Sequence, residues 1–127
     1  MVLDRDEDES ARKLVLLPLM DGRPVEARTV VLNKAGEMLE AMESTPDSLG
    51  YSSLGLLQER EIPGMRVLAL DGVVPSPEAI VRKEYPWYLT FGFVHAADAP
   101  QAVRDFVGFA SGPEGRKLVE KNGYAKP

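Results

Sequence analysis

Residues 71–93, "DGVVPSPEAIVRKEYPWYLTFGF", carry three structural signals in a row. Asp71-Gly72 is a tight-turn dipeptide that closes the apolar run "MRVLAL" before it, so a buried strand is expected over 65–70. Ser76-Pro77-Glu78 opens a helix: a side-chain oxygen to accept from a backbone N–H, a ring already at helical φ, and an acid in the first turn. After Pro86, "WYLTFGFVHA" (87–96) is the stretch densest in aromatic and β-branched residues, and a central strand is expected there. Strands alternating with helices make an α/β chain rather than a bundle or sandwich.

The same alternation extends outward in both directions. Upstream, "TPDSLGYSSLG" reads as a turn at Thr45-Pro46-Asp47, a short strand over 49–52 and a small-residue exit into a short helix over 54–59, with Gly50 letting the backbone approach a neighbour closely. "NKAGEMLEAMES" is a helix with Asn33 as its cap and Met38, Leu39 and Met42 on one face. The segment 23–32 is ambiguous between strand and helix. Residues 1–3 form a short strand, and 11–20 a helix that Pro18 weakens, capped by Asp8 or Ser10. Downstream, a helix over 100–109 is expected to turn Val103, Phe106, Val107 and Ala110 inward, and another begins at Pro113 and stops at Gly123.

With 127 residues, one compact domain is expected, and the net charge of −5 without a dense Lys or Arg run argues against nucleic acid or an anionic membrane as partner. The chain has no Cys, hence no disulfide or thiolate metal site. As written it turns acidic at Asp4 before any signal-type apolar segment, and it has no apolar run of the ~20 residues a membrane span needs, so it reads as soluble without an export signal or membrane insertion.

Candidate chemistry centres on residues 5–12, "RDEDESAR", between the first strand and the first helix. Two readings stay open. Arg5, Ser10 and Arg12, with the helix N-terminus, could hold an anion; alternatively the arginines balance a hydrated acidic turn. Tyr51 and Ser52, at the exit of a strand, are placed to face a ligand cleft, since sites in open α/β sheets lie beyond strand C-termini; equally, Tyr51 could pack against the first helix. His95 stands alone as a histidine and reads as a strand-end residue facing solvent. Glu59/Glu61 and Glu40/Glu43 read as solvated helix faces. No cofactor, metal site or enzymatic role is expected.

The ordered series of motifs resembles the C-terminal half of the phosphate-type periplasmic solute-binding proteins of ABC transporters. Matching residues are Thr45, Pro46, Leu49, Gly50 and Tyr51; Asp71, Gly72, Val73, Pro75, Ser76 and Glu78; Tyr85, Pro86 and Leu89; and Phe106, Phe109, 112–115, Gly123 and Tyr124. The resemblance implies an α/β chain that forms a single lobe of a type II periplasmic-binding-protein fold, a small mixed sheet flanked by helices, with 1–90 like the second lobe and 91–127 the strand and helices that return to the first. The other lobe, with its small-residue anion loop, is not represented. It further implies phosphate or a related oxyanion as ligand, an ABC-transporter permease as partner and a periplasmic location. Arg5 takes the place of a family arginine; Ser10 and Arg12 fall near a hydroxyl and a following arginine. The family's Gly-Ser-Gly-Thr turn is absent, and Asp6, Glu7, Asp8 and Glu9 crowd the loop. The alternative is a ligand-free interaction or sensory domain that dimerises through apolar faces around Phe106, Phe109 and Leu118.

Overall fold

The structure is a computed structural model that describes residues 1–60 and 62–125. Its sheet is built on β1 (Val2–Arg5), which pairs in parallel with β2 (Thr29–Leu32) in the register Val2↔Thr29 to Arg5↔Leu32. Thus the ambiguous segment 23–32 resolves as a loop leading into a strand. On the opposite edge of β1, Leu49 bridges to Val2, with Leu3 N donating to Leu49 O and Leu49 N to Met1 O, both at 2.8 Å. The strand expected over 49–52 is reduced to this bridge, yet it puts β1 in the middle of the layer.

Parallel neighbours need a long crossover, and here it is a ten-residue helical run over 10–19. The run widens into a π-helical stretch, Arg12–Leu16, before a last turn, α1 (Leu17–Leu19). Pro18 supplies a reason: its missing N–H cannot bond the Leu14 carbonyl and its ring crowds that group, while Leu17 N reaches back to Arg12 O instead. The N-terminus of this run is capped by Glu9, not by Asp8 or Ser10: Glu9 Oε2 accepts from Ala11 N at 2.8 Å and Arg12 N at 3.3 Å.

Helix α2 (Ala35–Ser44) covers the sheet. Its start is held by Glu37, whose carboxylate accepts from the backbone N–H of Asn33 and of Lys34, both at 3.1 Å; the Asn33 side chain makes no cap. Met38 and Leu39 are buried, as is Leu3 on β1, and these three belong to the core. Gly50 fits there for want of a side chain: a Cβ would lie 2.7 Å from Met38 Sδ and 3.3 Å from Met42 Sδ. The close approach expected of Gly50 is therefore to α2.

Helices α3 (Leu54–Glu59) and α4 (Pro77–Val81) lie where the sequence placed them, each with a serine cap: Ser53 Oγ accepts from Leu56 N, and Ser76 Oγ from Ala79 N. Asp71 and Gly72 both take positive φ (51° and 82°) in a two-residue turn closed by reciprocal Leu70–Val73 hydrogen bonds. The flanking strand over 65–70 does not form, and Val67 and Leu68 are exposed. Neither does the strand over 87–96. Among the described residues no segment offers that stretch a ladder, so it forms no strand, and Val94 is fully exposed.

The chain ends in α5 (Gln101–Ser111) and α6 (Pro113–Lys121), packed on each other so closely at Gly115 that a Cβ would meet Ala110 O at 2.3 Å. Gly123, at φ 78°, stops α6 as expected. Phe93 meets Phe106 edge to face at 5.5 Å between centroids, and Phe91 meets Tyr124 at 5.6 Å. The inward face expected for α5 is corrected: Val103 and Phe106 are exposed, and only Val107 and Ala110 are half-buried. His95 is exposed, and its Nδ1 lies 2.8 Å from Ala96 O, to which only an N–H could donate. Glu61, one of the acidic pair read as a helix face, lies outside the described residues.

Candidate functional site

Strand β1 ends in two buried charged residues, Asp4 (2% exposed) and Arg5 (8%), an unfavourable placement unless both are paired. The Asp4 carboxylate is the hub. Oδ1 accepts from Arg5 N at 2.8 Å and from the Tyr51 hydroxyl at 2.7 Å, and Oδ2 accepts from Arg12 Nε at 3.1 Å. Tyr51 arrives there through the sheet: Leu49 is bridged to Val2, so two residues on, Tyr51 lies beside Asp4. Its hydroxyl also accepts from Arg5 N at 3.2 Å. Burial, reinforced by the bond to Asp4, raises the Tyr51 phenol well above its usual range, so it stays a donor.

Arg5 faces the N-terminus of the helical run. One terminal nitrogen donates to Asn33 O at 3.3 Å and lies 3.7 Å from Glu9 Oε1, while Nε is buried with no partner among the described residues. Glu9 thus reaches in two directions, with Oε2 on the N–H groups of Ala11 and Arg12 and Oε1 toward Arg5. An arginine and the open N–H groups of a first helical turn together make an anion-binding arrangement, and a carboxylate sits in it.

The other acids have local duties. Asp6 Oδ1 accepts from Asp8 N at 2.9 Å, which ties the turn, and Asp8 Oδ1 pairs with Lys13 Nζ at 2.6 Å. That hydrogen bond, and then the partner's opposite charge, lowers the Asp8 carboxyl and raises the Lys13 ammonium, but both groups are exposed and the pair is a surface one.

Of the five residues singled out in the sequence, Arg5, Arg12 and Tyr51 come together around Asp4. Ser10 is exposed and its hydroxyl makes no hydrogen bond among the described residues. Ser52 is half-buried, with Oγ buried and without a partner among the described residues. Asp4 and Glu9 were not singled out. A charged Asp-Arg pair straight after an apolar strand start was the available signal for Asp4. Nothing in a run of four acids distinguished Glu9.

Among the described residues no group of His, Asp and Glu is arranged to hold a metal, and no helix is long and apolar enough to cross a membrane. Two surface hollows, of about 550 and 400 Å³, lie against Ser111, Arg116 and Lys117 and against Met1, Arg28 and Val30; neither includes Arg5.

No protein-family profile matches the chain. Curated sequences do: it is 32% identical over 95 residues to phosphate-binding protein PstS 2 of Streptococcus agalactiae, covering 74% of this chain and 31% of that protein. It is 28% identical over 99 residues to PstS 2 of Streptococcus pneumoniae, covering 77% and 33%. This chain is similar in sequence to a part of the PstS phosphate-binding proteins. It spans about a third of the length of the curated PstS relatives it matches. A solved phosphate-binding protein of a phosphate ABC transporter from S. pneumoniae superposes with TM-score 0.70 at 21% identity, over 98% of this chain and 50% of that one. PstS from Borrelia burgdorferi does so with TM-score 0.61 at 23% identity, over 98% and 51%. The fold is that of PstS structures, and the chain is a small-sheet α/β lobe corresponding to about half of one.

Proposed function

We propose that this chain serves as an oxyanion-binding lobe of a phosphate-type ABC-transporter receptor, with Arg5 and the backbone N–H groups at the start of the helical run as its donors. One observation carries the reading: Arg5 is buried, lies toward the Glu9 carboxylate that caps a helix start, and keeps a buried N–H without a partner among the described residues. A buried guanidinium is unfavourable unless its hydrogen bonds are met, and an oxyanion would meet the missing one. The similarity to PstS proteins supports phosphate as the anion. Asp4 holds Arg12 and Tyr51 in place, and these stiffen the end of β1 from which Arg5 projects. Ser52 Oγ, buried and unpartnered among the described residues, is a further donor within the candidate set.

Capture would be completed by closure of an opposing lobe, with release to a permease at an extracytoplasmic face. Residues 1–90 would then form the ligand lobe, and 91–127 the part that packs toward the opposing one. A lobe alone offers only part of a full set of donors, so weak affinity is expected. We assign the chain no catalytic step.

A second reading is favoured by a separate observation. Phe91, Phe93, Phe106, Phe109 and Leu118 are all more than half exposed, and a second copy of the chain could cover them. On that reading the fold serves assembly, and the site at Arg5 serves stability alone.

Isothermal titration with inorganic phosphate, with mass by light scattering in the same buffer, separates the two. Saturable heat that Arg5→Ala removes supports the receptor reading. A dimer mass with heat unchanged in Arg5→Ala takes Arg5 out of any site and favours assembly.

A further inference from the structure

We infer that Glu9 is a tethered occupant of the anion site, a carboxylate of the chain's own that an incoming oxyanion must displace. The inference rests on the receptor reading and concerns the same donors. Glu9 Oε2 sits on the N–H groups of Ala11 and Arg12, and Oε1 lies toward Arg5. Those are the contacts a bound oxyanion would make at a helix start beside an arginine. The same N–H groups cannot serve both a carboxylate and a phosphate oxygen, so binding of one requires departure of the other.

The fit of this occupant is uneven, and that makes it removable. Its bond from Ala11 N has ordinary length at 2.8 Å, but that from Arg12 N is long at 3.3 Å, and the 3.7 Å to Arg5 is well beyond the roughly 2.7–2.9 Å of a charge-assisted hydrogen bond. Arg5 Nε is left without a partner among the described residues. Two carboxylate oxygens on a side chain anchored one residue before the helix cannot cover both the N–H pair and the guanidinium. A tetrahedral oxyanion has four oxygens with which to do so. The Glu9 side chain is 30% exposed, so a route to solvent is open to it. Its tether gives it a high local concentration, which free anion must overcome. Chloride or a simple carboxylate gains nothing over Glu9 at Arg5 Nε, whereas phosphate does. Glu9 therefore weakens the binding of any anion that needs those N–H groups, and an anion with more acceptors is the one best able to overcome it.

The test compares the chain with Glu9→Ser and Glu9→Gln, titrating inorganic phosphate and acetate at moderate ionic strength, with thermal melts as the check on folding. Serine is itself a good helix cap and glutamine keeps the shape without the charge, so at least one variant retains the fold. The expected result is phosphate binding about tenfold tighter or more in the variants, a gain abolished by adding Arg5→Ala, with acetate gaining by a similar factor while staying the weaker ligand throughout. Folded variants that bind phosphate no more tightly than the parent chain overturn the role of Glu9. If the parent binds phosphate through Arg5 in that case, the receptor reading stands without it. If no folded protein of the set binds phosphate, both fall.

Discussion

Replacing Asp4 is the most direct test of how the end of β1 is held. Asp4→Ala removes the acceptor for Arg5 N, the Tyr51 hydroxyl and Arg12 Nε together. Removing one partner of a buried ion pair typically costs about 3–5 kcal/mol, chiefly from the charge left behind. The low end applies here, because the Arg12 side chain is 20% exposed and water can reach it, so a loss of about 3 kcal/mol is expected. Asp4→Asn sharpens the point. Its amide oxygen can still accept from Arg5 N and Tyr51, and the loss is confined to Arg12, which would face an NH2 group. About 1–2 kcal/mol is expected for it, in the range of one unsatisfied buried group. Urea melts followed by circular dichroism measure both, with the slope of the transition checked for constancy. A second melt series with Arg12→Ala and the double variant isolates the pair. An Asp4→Ala chain within 1 kcal/mol of the parent, at unchanged slope, would refute the hub assigned to Asp4.

Two further outcomes follow from the same geometry. Gly50→Ala brings a methyl to 2.7 Å from Met38 Sδ in the fully buried core, and a loss of about 1–3 kcal/mol is expected in the same urea assay; an unchanged midpoint would mean α2 yields freely. Tyr51 has its phenol raised in the folded state, first by burial and then by the bond to Asp4, so its contribution is full below the unfolded phenol value of about 10 and is lost as pH rises above it. Melting temperature should therefore fall through the alkaline range more steeply in the parent than in Tyr51→Phe, and parallel curves would count against the assignment.

Much of the local structure is legible in the sequence because it is decided by local chemistry. The Ser76-Pro77-Glu78 start of α4, the Asp71-Gly72 turn and the stop at Gly123 each depend on a few adjacent residues, and each is present. The motif order across 45–127 pointed to the fold that the PstS structures share. For the site, Arg5, Arg12 and Tyr51 could be named from charge and position. Ser10 was a natural choice of cap by residue type, but Glu9 reaches the same N–H groups first.

What the tertiary structure alone decided depends on partners distant in sequence. "WYLTFGFVHA" has the composition of a strand, but a strand exists only where another segment offers its N–H and C=O groups, and none of the described residues does. Conversely, β2 was ambiguous by composition and became a strand because β1 lay beside it. Tyr51 reaches Asp4 across 47 residues through one bridge at Leu49, a contact no local pattern encodes. The sequence by itself thus determined the turns, the Ser76 cap and the residues to be tested with an anion. Only the tertiary structure decided which of them meet and which carboxylate lies among them, because pairing and burial are properties of neighbours in space.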